Sequence, residues 1–276
     1  MQIWPAVEIR SGKCVRLGHG DYQPVTVYGE SPADMAIRWV NDGARGLLVV
    51  DLDGTIDETP RNIDAISQIV RQTEVPIVVG GGIGDELTIE KYISIGIQRI
   101  VIGARAIENP LWAIEIVKKH PGQIIVAVNS RNGLRTPGSQ LNTTTPKLID
   151  FAQQMANYPI AGILLTDVAK QGKIEVPDYE ALKQLRDAVN VPVIASGDIS
   201  KADDVLQLAA LNLDGCVIGR ALYEGRLTLA DSLRAAKTGR DQAQATAVED
   251  ASPASQHVSK GPHFRSIRKS SGASTP

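Results

Sequence analysis

An internal repeat constrains the fold of this chain more than any other feature. Two pairs of segments match at an offset of 116 residues, and two further pairs occur in the same order at similar offsets. The matched pairs are "VPIVVGGGI" (75–83) with "VPVIASGDI" (191–199), "VIGARA" (101–106) with "VIGRAL" (217–222), "VVDLD" (49–53) with "ILLTD" (163–167), and "AVEIRSGK" (6–13) with "AVNSRNGL" (127–134). Four ordered matches indicate two equivalent halves, about 1–120 and 121–238.

Short β-branched runs alternate with longer amphipathic segments along both halves. Runs such as "GLLVVDL" and "VPVIAS" are almost continuously apolar, which is typical of parallel strands buried on both faces. The pattern predicts strands near 2–8, 46–52, 75–79, 98–102, 123–128, 160–165, 191–195 and 214–218, and helices near 32–42, 60–73, 85–95, 109–119, 145–157, 178–189, 200–212 and 228–238.

Eight strand–helix units predict a closed (β/α)8 TIM barrel over residues 1–238, built from two half-barrels. An open, doubly wound sheet is the structural alternative. It usually needs fewer strands and carries a dinucleotide-binding fingerprint after the first one, and this sequence has no such fingerprint.

The composition changes in residues 239–276, which are rich in Ser, Ala and Gln and poor in large apolar residues. Such a segment cannot bury enough apolar surface to offset the entropy lost on ordering, so we predict a disordered C-terminal tail. A role in partner binding is the alternative to a plain solvated extension.

Charge and cysteine content exclude several classes of function. The net charge of −2 gives no reason to expect nucleic acid or a membrane surface as a partner. Cys14 and Cys216 form neither a metal-binding spacing nor a disulfide framework, which favours a reducing compartment. No signal peptide is recognisable, and no apolar run approaches the ~20 residues that span a bilayer. A cytoplasmic location is therefore expected.

Glycine-rich turns follow four strands at matched positions of the two halves. Backbone N–H groups at such turns can approach an oxyanion closely, and a following helix N-terminus adds a favourable dipole. The sequence thus predicts two phosphate sites at opposite sides of the barrel mouth. The alternatives are that the glycines only permit tight turns, and that the arginine pairs with a surface carboxylate. The candidate residues are Gly81, Gly82, Gly103, Ser196, Gly197, Gly219 and Arg220.

Between these loops, the residues that end the strands should face the centre of the barrel mouth. Glu8, Asn129 and Thr166 hold such positions. A partly shielded carboxyl group can act as general acid or base. Asp51 and Asp53 alternate along one strand, so only one of them can face inward, while the other can cap the following turn.

The alternative for Glu8 is a salt bridge with Arg10, Lys13 or Arg16. Two long loops, roughly 10–30 and 130–144, occupy equivalent places in the two halves. Long loops in a compact domain are commonly lids or binding elements. The first also offers Lys13, Arg16 and Tyr22 to a substrate.

Several motifs resemble a known family over about residues 1–237. They are "IWPAVEIRSGKCVRLGHGDY", "VVDLDGT", "VVGGGI", "VIGARAIENP", "VPVIASGDIS" and "GRALYEG". Together they resemble the phosphoribosylformimino-aminoimidazole carboxamide ribotide isomerases of histidine biosynthesis. The resemblance implies an Amadori rearrangement of a bis-phosphorylated aminoaldose to an aminoketose, with no metal or organic cofactor. A small-molecule substrate and a monomer are expected.

The resemblance also implies roles for three residues. A general acid ends the first strand at Glu8, an aspartate is expected at the position of Asn129, and a threonine ends the sixth strand at Thr166. Arg16 and Asp51 are expected to support them. Glu8 replaces the family's aspartate with an arm one methylene longer. Asn129 carries an amide, which cannot exchange a proton near neutrality.

Other departures affect the phosphate loops. Gly84 replaces an arginine, Ala104 a threonine and Asp198 a glycine, and "TPGSQLNTTT" (136–145) lacks the tryptophan that the family places there. A carboxylate beside a phosphate is repulsive unless it points away. Three hypotheses remain: an isomerase in which Glu8 performs most of the proton transfer, a non-catalytic paralogue that binds a phosphosugar or a protein partner, and an enzyme for a different phosphosugar.

Overall fold

The computed structural model describes residues 1–17, 25–130, 145–167 and 177–251. Its strands, in chain order, are β1 (Gln2–Arg10), β2 (Lys13–Leu17), β3 (Val25–Gly29), β4 (Leu47–Asp51), β5 (Ile77–Gly80), β6 (Arg99–Ile102), β7 (Ile124–Ser130), β8 (Gly162–Asp167), β9 (Val193–Ser196) and β10 (Gly215–Ile218).

Eight of these strands form a closed parallel barrel. The sheet order is β10-β9-β8-β7-β6-β5-β4-β1-β2-β3, and an additional parallel pairing between β10 and β1 closes the ring. The predicted (β/α)8 barrel is confirmed, and each predicted strand corresponds to one barrel strand.

The helices surround this barrel. They are α1 (Pro32–Asn41), α2 (Leu52–Asp57), α3 (Ile63–Gln72), α4 (Glu86–Ser94), α5 (Ala104–Glu108), α6 (Pro110–Lys119), α7 (Thr145–Ala156), α8 (Tyr179–Ala188), α9 (Ala202–Ala210), α10 (Arg220–Tyr223) and α11 (Leu229–Ala251). The short helices α2, α5 and α10 follow barrel strands directly and were not predicted.

Alternation along the strands separates two apolar layers. Along β1, Val7 and Ile9 belong to the large cluster between sheet and helices, whereas Trp4 and Ala6 face the barrel interior. The interior layer is filled by Trp4, Ala6, Leu48, Val78, Ile125, Leu164, Ile194 and Val217. Glu8 continues the inward-facing series of β1, so its side chain projects from the interior face at the C-terminal end of the barrel.

The long loop predicted after the first strand contains a β-hairpin. β2 pairs antiparallel with β1, with Ile9 opposite Cys14, and β3 pairs antiparallel with β2. The connecting residues Ser11 and Gly12 have φ values of 50° and 75°. Positive φ at both central residues is the geometry of a two-residue hairpin turn. The hairpin carries Arg16 back over the end of β1, while Tyr22 lies outside the described residues.

The C-terminal boundary differs from the prediction. Helix α11 continues through Gly239 to Ala251, so disorder from residue 239 is wrong for 239–251. A Cβ on Gly239 would lie 2.2 Å from the carbonyl oxygen of Leu206. The missing side chain thus allows close packing of α11 on α9 at this residue, whereas residues 241–246 that follow are mostly exposed. Residues 252–276 lie outside the described part.

Two sequence expectations concern membrane-spanning helices and the state of the two cysteines. Within the described ranges, no helix has both the length and the apolar character needed to cross a membrane. Cys14 and Cys216 are buried free thiols.

Candidate active site

Glu8 lies at the barrel mouth and contacts Arg16 from the hairpin. Arg16 Nη1 donates to Glu8 Oε1 at 2.8 Å, and the Glu8 side chain is 17% exposed. This is one of the three ion pairs considered from the sequence, and it is seen among the described residues. Glu8 Oε2, however, is buried and has no hydrogen-bond partner among the described residues. The described residues therefore leave one carboxyl oxygen of Glu8 without a partner.

Burial raises the pKa of Glu8 above its ordinary value. The charge and the hydrogen bond of Arg16 act in the opposite direction, but they only partly offset the cost of desolvating the carboxylate. A raised pKa increases the protonated fraction near neutrality, as a general acid requires.

Arg16 also lies beside one of the glycine loops. A Cβ on Gly219 would be 3.8 Å from Arg16 Nη1 and 3.6 Å from the Cβ of Ala6. The guanidinium group thus lies next to both the Glu8 carboxyl and the loop that begins α10. Arg16 Nε is buried without a partner in the described structure, so the group has an unused donor.

The barrel register brings Asn129, Thr166 and Ser196 side by side. Asn129 is paired with Thr166 between β7 and β8, and Thr166 is paired with Ser196 between β8 and β9. The three positions therefore lie at one level of adjacent strands, at their C-terminal ends. The side chain of Asn129 and residues 131–144 of the following loop lie outside the described part.

The two halves repeat their loop geometry as well as their sequence. Gly103 has φ and ψ of −121° and −105°, and its equivalent Gly219 has −107° and −98°. A Cβ on Gly103 would lie 3.8 Å from the Cβ of Ala127, matching the approach of Gly219 to Ala6. Glu8 and Asn129 each stand two residues after the matching alanine, so they hold equivalent positions relative to the two loops.

Left-handed backbone recurs in the other pair of loops. Gly81 and Gly82 have φ values of 110° and 66°, and the equivalent Gly197 and Asp198 have 96° and 36°. Asp198 is thus a non-glycine residue in a conformation that favours glycine. Asp198 stands where the first half of the repeat has Gly82, so the second glycine loop carries a carboxylate that the first loop lacks.

Gly81 and Gly82 also pack tightly against the end of β4 and the first turn of α2. A Cβ on Gly81 would lie 2.2 Å from the carbonyl oxygen of Asp51, and one on Gly82 would lie 2.1 Å from that of Gly54. Both glycines are therefore required by close backbone packing, whatever ligand the loop binds.

This packing predicts a large stability loss for Gly82→Ala. Gly122→Ala is a matched control, because Gly122 has a φ of 73° but nothing within 4 Å of an added Cβ. We expect the control to cost about 1 kcal/mol through left-handed strain, and Gly82→Ala to cost at least ~2 kcal/mol more through the backbone clash. Urea denaturation measures both free energies of unfolding, and equal losses would contradict the packing argument.

Asp51 takes the capping role that the sequence left open. It is fully buried, and its carboxylate accepts hydrogen bonds from the backbone N–H groups of Gly54, Arg61 and Asn62 and from the Asn62 amide. Asp53 accepts from the backbone N–H of Ser11 at 2.5 Å and from Asn62. The two aspartates thus hold the loop after β4 and attach it to the turn of the hairpin.

Arg220 pairs with a surface carboxylate, which was the alternative to phosphate binding considered from the sequence. Its Nε donates to Glu224 Oε1 at 2.6 Å within one helical turn, and Arg226 also contacts Glu224. Lys13 likewise pairs with Glu30 at 2.7 Å, and both side chains are largely exposed. Arg16, by contrast, is a cation considered for the site that does contact Glu8.

Sequence reasoning missed Tyr223, a partly buried residue at the end of α10. Its hydroxyl group contacts both β1 and the hairpin. The motif "GRALYEG" contains this tyrosine, but nothing in the motif indicates that its hydroxyl reaches the strand that carries Glu8. Among the described residues, no group of three or more His, Cys, Asp or Glu side chains is arranged to hold a metal ion.

These features define a duplicated (β/α)8 barrel with a carboxyl group at the end of β1 and glycine loops repeated in its two halves. The family model described as "Histidine biosynthesis protein" matches residues 2–228. The chain therefore belongs to this family of histidine biosynthesis proteins.

Curated relatives match over nearly their whole length. A protein of Gloeothece citriformis is 39% identical over 245 residues, covering 88% of this chain and 95% of the relative. A protein of Rhodopirellula baltica is 37% identical over 239 residues, covering 86% and 94%. One of Desulfatibacillum aliphaticivorans is 39% identical over 244 residues, covering 87% and 98%. All three are named 1-(5-phosphoribosyl)-5-((5-phosphoribosylamino)methylideneamino)imidazole-4-carboxamide isomerase. The family resemblance stated from the motifs is confirmed.

Proposed function

We propose that this protein is an aldose–ketose isomerase that performs an Amadori rearrangement on the bis-phosphoribosyl imidazole carboxamide for which its relatives are named. The observation that carries the proposal is Glu8, a shielded carboxyl with one oxygen held by Arg16 and the other without a partner among the described residues. It lies at the mouth of a barrel whose two halves repeat the same glycine loops.

Glu8 is the general acid for ring opening in this mechanism. Its protonated carboxyl donates to the ring oxygen of the aminoaldose, the bond from that oxygen to C1 breaks, and the nitrogen lone pair forms an iminium group at C1. The raised pKa of Glu8 favours the protonated form that this step needs.

The same carboxylate then serves as base. It takes the proton from C2, which converts the iminium into an enaminol, and it returns a proton to C1 while the C2 hydroxyl loses its proton and becomes the ketone. The proton lost by the C2 hydroxyl passes through solvent to Glu8, which restores the protonated carboxyl for the next turnover. The amide of Asn129 does not titrate near neutrality, so it orients the substrate and takes no part in proton transfer. Thr166 supplies a hydroxyl group that can donate and accept hydrogen bonds.

The two glycine loops would hold the two phosphate groups and place the sugar between them. Backbone N–H groups of Gly81, Gly82 and Gly103 serve one phosphate. Those of Gly197 and Gly219, with Ser196, serve the other, and the guanidinium group of Arg16 lies beside this second loop. Binding both ends fixes the reacting carbons relative to Glu8, which lowers the entropy that the reaction must lose.

The dependence of kcat on pH tests this assignment. Because the reaction starts from protonated Glu8, kcat should fall as pH rises through the pKa of that carboxyl. The pH at the midpoint of this fall, called the alkaline limb of kcat, should lie above the ordinary glutamate pKa of about 4.3. Arg16→Met removes the cation that lowers this pKa, so the limb should move to still higher pH. A limb at the ordinary value, or one that moves downward in the variant, would remove Glu8 as the acid.

A further inference from the structure

Tyr223 links the second glycine loop to both strands of the Glu8–Arg16 pair. It is the last residue of α10, the helix that begins directly after Gly219. Its hydroxyl donates to the carbonyl oxygen of Ala6 at 2.9 Å, two residues before Glu8 on β1. The same oxygen lies 3.1 Å from the sulfur of Cys14, two residues before Arg16 on β2.

The directions of these hydrogen bonds follow from the available protons. A tyrosine hydroxyl has one proton, and the Ala6 carbonyl can only accept, so the hydroxyl proton is used there. The Cys14 thiol must then donate to the tyrosine oxygen. Burial raises the pKa of Cys14, which keeps the thiol protonated for this contact. One hydroxyl thus connects β1, β2 and α10.

The ring of Tyr223 is held by two aromatic neighbours. Tyr28 of β3 stacks on it with a centroid distance of 4.6 Å, and Trp39 of α1 meets it edge-on at 5.3 Å. The tyrosine therefore cannot swing away from the strands without disrupting the packing of the hairpin. Substitution by phenylalanine keeps this packing and removes the hydroxyl alone.

We propose that Tyr223 is a positioning residue that fixes the Glu8–Arg16 pair relative to the second glycine loop. It acts through the backbone of β1 and through Cys14 on β2, and it does not contact the reacting atoms. Anion binding at the Gly219 loop is thereby coupled to the orientation of the acid. This inference deepens the proposed function and rests on it for its kinetic consequences.

Loss of the hydroxyl has a definite electrostatic consequence. Among the groups on the packed elements, Arg16 on β2 is the one that acts on the pKa of Glu8, while the Glu8 charge in turn raises the pKa of Cys14 on β2 and of Tyr223 on α10. Arg16 lowers the pKa of Glu8, while burial raises it. A looser pair weakens the effect of Arg16, so the pKa of Glu8 should rise in Tyr223→Phe.

The test compares Tyr223→Phe with Tyr92→Phe in the full-length chain. Tyr92 is fully buried in α4, and its hydroxyl has no hydrogen-bond partner in the described structure, so it is a matched control. In Tyr223→Phe, kcat should fall by about tenfold, a part of the ~10²-fold that a 1 Å misplacement can cost. KM should change by less than about twofold, and the alkaline limb of kcat should move to higher pH. Tyr92→Phe should leave all three unchanged.

A second readout does not need turnover. The carboxyl carbons of glutamate can be labelled with carbon-13 and titrated by NMR, with Glu8→Gln identifying the Glu8 resonance. The Glu8 pKa should rise in Tyr223→Phe, rise in the same direction in Cys14→Val, and stay constant in Tyr92→Phe. If the wild type shows no turnover, the proposed function fails, while this titration still tests the role of Tyr223.

Three results would overturn the inference. One is a Tyr223→Phe variant that matches the wild type in kcat, in the pH limb and in the Glu8 pKa. Another is a fall in kcat that follows the unfolded fraction in thermal melting while the pKa stays constant, which would make Tyr223 structural only. The third is a higher KM at constant kcat and constant pKa, which would place Tyr223 in binding.

Discussion

Replacement of Glu8 by glutamine is expected to lower kcat by about 10²- to 10⁴-fold, the range that positioned acid–base groups contribute. The glutamine amide retains an oxygen that can accept from Arg16 Nη1, so the pair keeps its geometry while the titrating proton is lost. Substrate affinity should therefore change little. Steady-state kinetics, together with calorimetric titration of the bis-phosphorylated aminoaldose, measures both quantities.

Two further variants serve as controls for this substitution. Glu8→Asp keeps a carboxyl group and gives the shorter side chain that the family resemblance implies at this position, so turnover should be retained. Glu30→Gln makes the same chemical change at an exposed residue that follows β3 and pairs with Lys13, and it should leave kcat as in the wild type. Turnover that persists unchanged in Glu8→Gln would remove this residue from the mechanism.

The second large effect is an increase in kcat. Asn129→Asp should raise kcat by roughly tenfold or more, because it adds a second titrating group at the position equivalent to Glu8 in the other half-barrel. The backbone of Asn129 already lies beside Thr166 at the ends of β7 and β8, so the substitution requires no rearrangement of the strands. Steady-state kinetics of the single variant, and of the double variant with Glu8→Asp, measures the gain.

An equal change of charge elsewhere is the control for this gain. Asn157→Asp makes the same substitution at an exposed residue after α7, and it should not alter kcat. If Asn129→Asp gives no increase in kcat while the protein remains folded, the amide does not limit the reaction. The departures from the family in the glycine loops would then be tested next.

The barrel was predictable because its signal is repeated. Parallel strands buried on both faces give continuous apolar runs, and the duplication locates equivalent runs independently. The hairpin was missed because β2 and β3 mix polar and apolar residues. The dipeptide Ser11-Gly12 is the turn signal that could have located it. Helices of four to six residues, such as α2 and α10, are too short to show a helical period.

The candidate site was predictable in part. The position of Glu8 follows from its place at the end of the first strand, and the glycine loops follow from the repeat. The contact of Arg16 with Glu8 depends on how the hairpin folds back, and the sequence offered Arg10 and Lys13 equally well. The reach of the Tyr223 hydroxyl to Ala6 spans 217 residues of chain, so only the closed barrel brings them together.

The most direct test of the central claim is turnover of the bis-phosphorylated aminoaldose by the purified wild-type protein, with binding measured in parallel by calorimetry. We predict that the aminoketose forms above background, since Glu8 can supply the acid and the base in succession. Binding without turnover would contradict this prediction and would mean that the phosphate loops function without the chemistry. The absence of both would contradict the assignment of the substrate itself.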